Sequence, residues 1–135
     1  MYKLITKTFT ARLKLVVDSL VGLSQSAFIA GRSILDNVIV AHELVKDYTQ
    51  NGLSPRCLIK INIRKTYDSV KWGFLKSVLL KFGLPGKFMD SIMECVTAVS
   101  SSLLINEGLT PKFMAKKGLR QGNPMSLYLF ILAME

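Results

Sequence analysis

Leu4, Ile5, Phe9, Val16 and Leu20 recur at near-helical spacing and predict a helix over Tyr2 to Leu20. Lys3, Lys7 and Lys14 fall near one line of its surface, the pattern of a solvated lysine face. A connector with Gly22 and Gly31 follows, from Val21 to Arg32. Ser33-Ile34-Leu35-Asp36 resembles a capping box and opens a second helix, expected to run to about Tyr48. Its apolar stripe is Ile34, Leu35, Val38, Ile39, Ala41 and Val45, with His42 on the edge as a packed or hydrogen-bonded core residue. Gln50 to Pro55 is a loop. Cys57 to Ile63 is rich in isoleucine and alternates over its second half, so it predicts a strand. Ile59, Ile61 and Ile63 would face one way, Lys60 and Asn62 the other. A helix over Ser69 to Phe82 stops at Gly83, with Pro85 beyond it, and another runs from Gly86 to Val99. Ser100 to Ile105 and Lys112 to Lys117 predict two strands joined by a turn at Asn106-Glu107-Gly108. Asn123-Pro124 starts a last helix, with Asn as N-cap and Pro at the first helical position. That helix is still apolar at Glu135, which leads us to expect a truncated element.

The 135 residues carry 18 Lys and Arg against 9 Asp and Glu, a net charge of +9. Such an excess selects polyanionic partners, nucleic acid first and acidic membrane second. Half the residues are hydrophobic, which excludes a disordered tail. Cys57 and Cys95 lie far apart beside a single histidine, so four nitrogen and sulfur ligands for zinc are not to hand. Reduced thiols in an intracellular protein are the expectation. The longest apolar run, Leu127 to Met134, is far below the roughly 20 residues of a membrane span. The basic, Thr-containing N-terminus has some likeness to a mitochondrial presequence.

Two segments hold candidate chemistry. In Ile61-Asn62-Ile63-Arg64-Lys65-Thr66-Tyr67-Asp68 a strand end delivers a polar side chain, and an aromatic follows five residues later. In Lys117-Gly118-Leu119-Arg120-Gln121-Gly122-Asn123-Pro124 a basic, glycine-bracketed turn leads into a helix, where backbone N–H groups and Arg120 suit a phosphate. Each taken singly is also compatible with an ordinary turn.

Taken together with the rest of the chain they resemble the reverse transcriptase domain of non-LTR retroelements, most of all plant LINE-type elements. Tyr2 to Lys7 and Ala11 to Lys14 are similar to the opening finger helix. Gln25 to Asn37 resembles the finger motif Q-S-A-F-x-P-G-R, Asn62 to Val70 the palm motif D-x-x-K-A-Y-D-S-V, and Gly118 to Phe130 the second palm motif G-L-R-Q-G-D-P-L-S-P-Y-L-F. The resemblance covers nearly the whole chain in the family's order. It implies an α+β fold, a partial polymerase right hand with finger helices (about residues 1–56) beside an incomplete palm sheet with a finger insert (about residues 57–135). It implies RNA-directed DNA polymerisation with two Mg²⁺ ions, an RNA template, a DNA primer and a dNTP, in the nucleus rather than the mitochondrion, with no membrane.

The family's first catalytic aspartate falls on Asn62, which keeps one carbonyl oxygen and loses the charge. The Ile63 backbone carbonyl is the neighbouring metal ligand the resemblance implies, so both are expected to hold metal weakly or not at all. Tyr67 matches the position that stacks under the dNTP sugar, Gln121 and Gly122 the dNTP and template pocket, and Arg32 the finger arginine, expected to contact nucleic-acid backbone or the incoming triphosphate. Lys65 and Arg120 are expected on nucleic acid, with Arg64, Lys116 and Lys117 adding charge, while Asp68 matches a structural aspartate. Asn123 also replaces an aspartate, nearly neutrally for folding because Asn and Asp cap alike. Ala30 and Leu127 replace prolines. The family's other catalytic aspartates, in a Y-A-D-D hairpin, lie beyond Glu135. Three readings therefore stand: an enzyme fragment inactive as given, a non-catalytic nucleic-acid-binding module, and a fold remnant. An uncovered palm surface would favour self-association.

Overall fold

The computed structural model describes residues 2–46 and 57–135. Among the described residues six helices and four two-residue strands follow in chain order: α1 (Tyr2–Leu20), α2 (Ile34–Lys46), α3 (Thr66–Ser69), α4 (Trp72–Lys81), α5 (Gly86–Thr97), β1 (Ser100–Ser101), β2 (Leu104–Ile105), β3 (Gly108–Leu109), β4 (Phe113–Met114) and α6 (Pro124–Met134). They fall into two compact units. The chain up to Val21 together with Lys65–Glu135 forms the first, and Gly22–Arg64 forms the second. The predicted loop Gln50 to Pro55 and the helix end at Tyr48 lie outside the described residues.

The first unit is built around α6. This helix is apolar on almost every side, a composition that requires burial all round. Met125, Leu129, Ile131 and Leu132 are buried, and α6 packs on α1 and α4 while α5 packs on α4 and α1. Asn123 starts it as predicted, its Oδ1 accepting the Met125 N–H at 3.1 Å, with Pro124 in the first turn. At the end of α4, Gly83 adopts φ 71°. Its N–H donates to the Leu80 carbonyl at 2.9 Å, and the Leu84 N–H to the Leu79 carbonyl at 3.4 Å. This is a Schellman cap, and it stops the helix where Gly83 predicted.

Several expectations are corrected. Helix α1 has the predicted bounds, but its inward face is Thr6, Leu13 and Val17, whereas Leu4, Ile5 and Val16 are exposed. The face that stays in register at 3.6 residues per turn runs through Tyr2, Thr6, Leu13 and Val17, and two of those are polar. Helix α2 buries none of its residues, so the stripe from Ile34 to Val45 faces solvent, and His42 is exposed rather than packed. Cys57 to Ile63 forms no strand, because no strand among the described residues pairs with it. The helix expected over Ser69 to Phe82 is broken at Val70, whose backbone is extended and whose carbonyl accepts the Gly118 N–H at 2.8 Å.

The two long strands shrink to an interrupted hairpin. Leu104 pairs with Leu109 and Ile105 with Gly108, while Ser100 pairs with Met114 and Ser101 with Phe113. Pro111, which has no N–H to give, lies between the two ladders. Asn106 and Glu107 turn the chain with φ 47° and 65°, the geometry of a type I′ turn. Among the described residues no helix is long and apolar enough to cross a membrane.

Candidate nucleic-acid and nucleotide site

The two segments singled out by sequence are about 50 positions apart, and the backbone brings part of each together. Within the first unit the Leu119 N–H donates to the Tyr67 carbonyl at 2.9 Å, and the Gly118 N–H to that of Val70. Trp72 Nε1 donates to the Gly118 carbonyl at 2.8 Å. The approach is so close that a Cβ on Gly118 would lie 3.1 Å from the Asp68 Cα, and its φ of 92° also demands glycine. The Asp68 backbone thus packs directly against the turn.

Beside this seam lies a cavity of about 600 Å³ lined by Tyr67, Arg120, Gln121, Gly122, Asn123, Pro124, Ser126 and Leu127. The Tyr67 ring is half-buried and rests on the Phe130 ring, 4.9 Å between centroids and tilted 32°. Gly122 has φ 77° with no atom within 4 Å of a Cβ position, so conformation alone requires glycine there. Arg120, Gln121 and Gly122 are exposed at the rim. Lys65, just before α3, holds a left-handed backbone at φ 52°, an unfavourable state for a lysine.

A second cavity, of about 450 Å³, opens on the other side of the same turn and is lined by Tyr2, Lys3, Thr6, Lys7 and residues 120–124. By spacing alone Lys3 and Lys7 fall on a solvated face, and nothing in the pattern singles out Tyr2. In the structure Tyr2 Oη donates to the Cys95 carbonyl at 3.2 Å and accepts from Asn123 Nδ2 at 3.1 Å. The Arg120 guanidinium carbon stands 5.8 Å from the centre of the Tyr2 ring, a cation–π distance. Burial raises the Tyr2 phenol above its ordinary value, the Cys95 thiol adds to this, and Arg120 and the Asn123 hydrogen bond oppose it. Burial also raises the Cys95 thiol, helped by Glu94. A tyrosine on the buried face of α1 was the readable signal, since such a residue brings a hydroxyl that needs partners.

The remaining site residues belong to the second unit. Asn62 and Ile63 are exposed. Arg32 turns inward on its own connector, where its guanidinium donates to the carbonyls of Gly22 and Gln25. Asn37 ties the same connector through Ser24 and Ser26. Arg32 thus clasps a loop. Among the described residues no group of three His, Cys, Asp or Glu side chains converges. Asn62 contributes only a neutral amide oxygen, so this donor set does not fit a pair of hard dications.

The profile of the family described as "Reverse transcriptase (RNA-dependent DNA polymerase)" matches residues 1–135. The chain is 29% identical over 134 residues to the "Transposon TX1 uncharacterized 149 kDa protein" of Xenopus laevis, covering 99% of this chain and 10% of that protein. It is 25% identical over 101 residues to the "Retrovirus-related Pol polyprotein from type-1 retrotransposable element R2" of Popillia japonica, covering 75% and 16%. For the "Retrovirus-related Pol polyprotein from type-2 retrotransposable element R2DM" of Drosophila melanogaster the figures are 23% over 111 residues, 82% and 10%. The chain therefore spans a small part of each of these relatives.

Proposed function

Because the chain belongs to the reverse transcriptase family of RNA-dependent DNA polymerases, with relatives among non-LTR retrotransposon proteins, we propose that it holds an RNA template, a DNA primer and a dNTP along the Tyr67–Arg120 wall. We further propose that Asn62, in place of the first catalytic aspartate, leaves it unable to carry out nucleotidyl transfer by itself. In this reading residues 1–56 are fingers and 57–135 palm with a finger insert, parts of a right-handed polymerase fold. Tyr67 lies under the dNTP sugar. Gln121 and Gly122 border the nucleotide and template pocket. Arg120 and Lys65 meet the nucleic-acid backbone. Arg32 acts through the connector it clasps and shapes the finger loop.

The observation that carries this reading is the backbone seam from Tyr67 and Val70 to Gly118 and Leu119, which makes two distant motifs one wall of a cavity about 600 Å³ in volume. The charge of +9 supplies the attraction for a polyanion. Magnesium is the family's metal. A carboxylate at position 62 would supply the charge that the amide lacks.

The test uses a fluorescently labelled RNA–DNA hybrid. Anisotropy should report binding that weakens at least about tenfold between about 50 and 200 mM salt, the response of several phosphate contacts. Arg120→Ala should lower the affinity and flatten the salt slope by about one unit. Absence of salt-sensitive binding would overturn the proposal. Primer extension by the unmodified chain in magnesium would overturn its second half. Asn62→Asp should strengthen magnesium-dependent retention of dNTP.

A further inference from the structure

We infer that Tyr2 is a positioning residue of the Arg120–Asn123 turn, and that an amide at position 123 is what lets its single hydroxyl hold that turn and α5 at once. The inference rests on the nucleic-acid reading of the turn given above. A tyrosine hydroxyl has one proton to give and lone pairs to receive. Here the proton goes to the Cys95 carbonyl, and a lone pair receives the Asn123 Nδ2–H. Cys95 lies in the last turn of α5, where helix carbonyls lack intrahelical donors.

The orientation of the Asn123 amide is settled by its surroundings. Its Oδ1 must face the Met125 N–H to cap α6, so its Nδ2 faces Tyr2. Both ends of the side chain are thus in use. An aspartate, the residue of the motif this segment resembles, would cap equally well. Its carboxylate has no proton to offer, however, and would compete for the one on Tyr2. The hydroxyl would then serve α6 or α5, not both. The Asp-to-Asn difference is neutral for the cap but not for the tie between α1, α5 and the turn. With the ring fixed at both neighbours, the Arg120 guanidinium rests on a platform that does not swing, and the cavity lined by Lys3, Lys7 and Arg120 keeps its shape.

The experiment compares Tyr2→Phe, Asn123→Ser, Asn123→Asp and the Tyr2→Phe/Asn123→Ser double variant in the whole 135-residue chain. Serine keeps a neutral cap, so Asn123→Ser should retain the helical circular-dichroism signal, with a thermal midpoint lowered only by about the 1 kcal/mol of the lost bond to Tyr2. Ultraviolet titration identifies the Tyr2 phenol as the one lost in Tyr2→Phe. Its midpoint should move upward in Asn123→Ser, which loses a hydrogen bond to the phenolate, and further upward in Asn123→Asp, which adds an anion. Each single variant should bind the labelled RNA–DNA hybrid about fivefold more weakly, and the double variant no more weakly than either single one. Two independent, multiplied losses, or singles that bind like the unmodified chain, would overturn the positioning role. An unmoved Tyr2 titration would overturn the shared hydroxyl itself, and it does so whether or not the unmodified chain binds nucleic acid.

Discussion

Gly118 and Gly122 bracket the same turn and need glycine for different reasons. At Gly118 a side chain meets the Asp68 backbone, which cannot move aside without opening the seam. At Gly122 the space is open and only φ forbids it. Gly118→Ala should therefore cost about 2 kcal/mol or more in urea denaturation, and Gly122→Ala about 1 kcal/mol. Tyr2 and Cys95 set the response to alkali. Both have raised folded-state values, so the neutral form is the one folding favours. Their contribution is complete below the unfolded values, about pH 8.5 for a thiol and about pH 10 for a phenol. It is lost as pH rises through the folded ones. Stability measured by denaturant titration should decline above about pH 9, and Tyr2→Phe should make the decline shallower.

Among the elements, the start of α6, the end of α4 and the hairpin turn were set by local chemistry, while the break between α3 and α4 was not. Asn123, Pro124 and Gly83 act within a few residues of where they stand, so their helix boundaries could be read directly. Val70 interrupts an otherwise helical pattern because its carbonyl is engaged by Gly118, far along the chain. No local signal marks such a break. The hairpin turn carries a local penalty of its own, since Glu107 holds φ 65° without being glycine. Glu107→Gly should stabilise the hairpin by about 1 kcal/mol, seen as slower exchange of the Thr110 amide, which donates to the Leu103 carbonyl across the hairpin.

In the molecule as a whole, apolar residues divide unequally between the two units. The first unit encloses Leu13, Leu75, Leu79, Ile92, Met125, Leu129 and Leu132 with essentially no exposure. Helix α2 leaves Ile34, Leu35, Val38, Ile39, Val40 and Leu44 more than half exposed. Leu132→Ala should cost about 3 kcal/mol by the cavity it opens. Ile39→Lys should leave the thermal midpoint within about 1 °C, as expected of a surface site. It should also reduce the binding of an apolar dye, because it breaks a continuous exposed apolar face.

Periodicity and caps were enough to place α1 from Tyr2 to Leu20 and the starts of α5 and α6, because these depend on neighbours within a turn or two of chain. Which face of α1 turns inward, whether Cys57–Ile63 finds a ladder, and that Tyr2 and Asn123 share a hydroxyl all depend on groups brought from far along the chain. Burial and hydrogen bonding at such points are properties of the packed neighbours, so only the folded arrangement decided them.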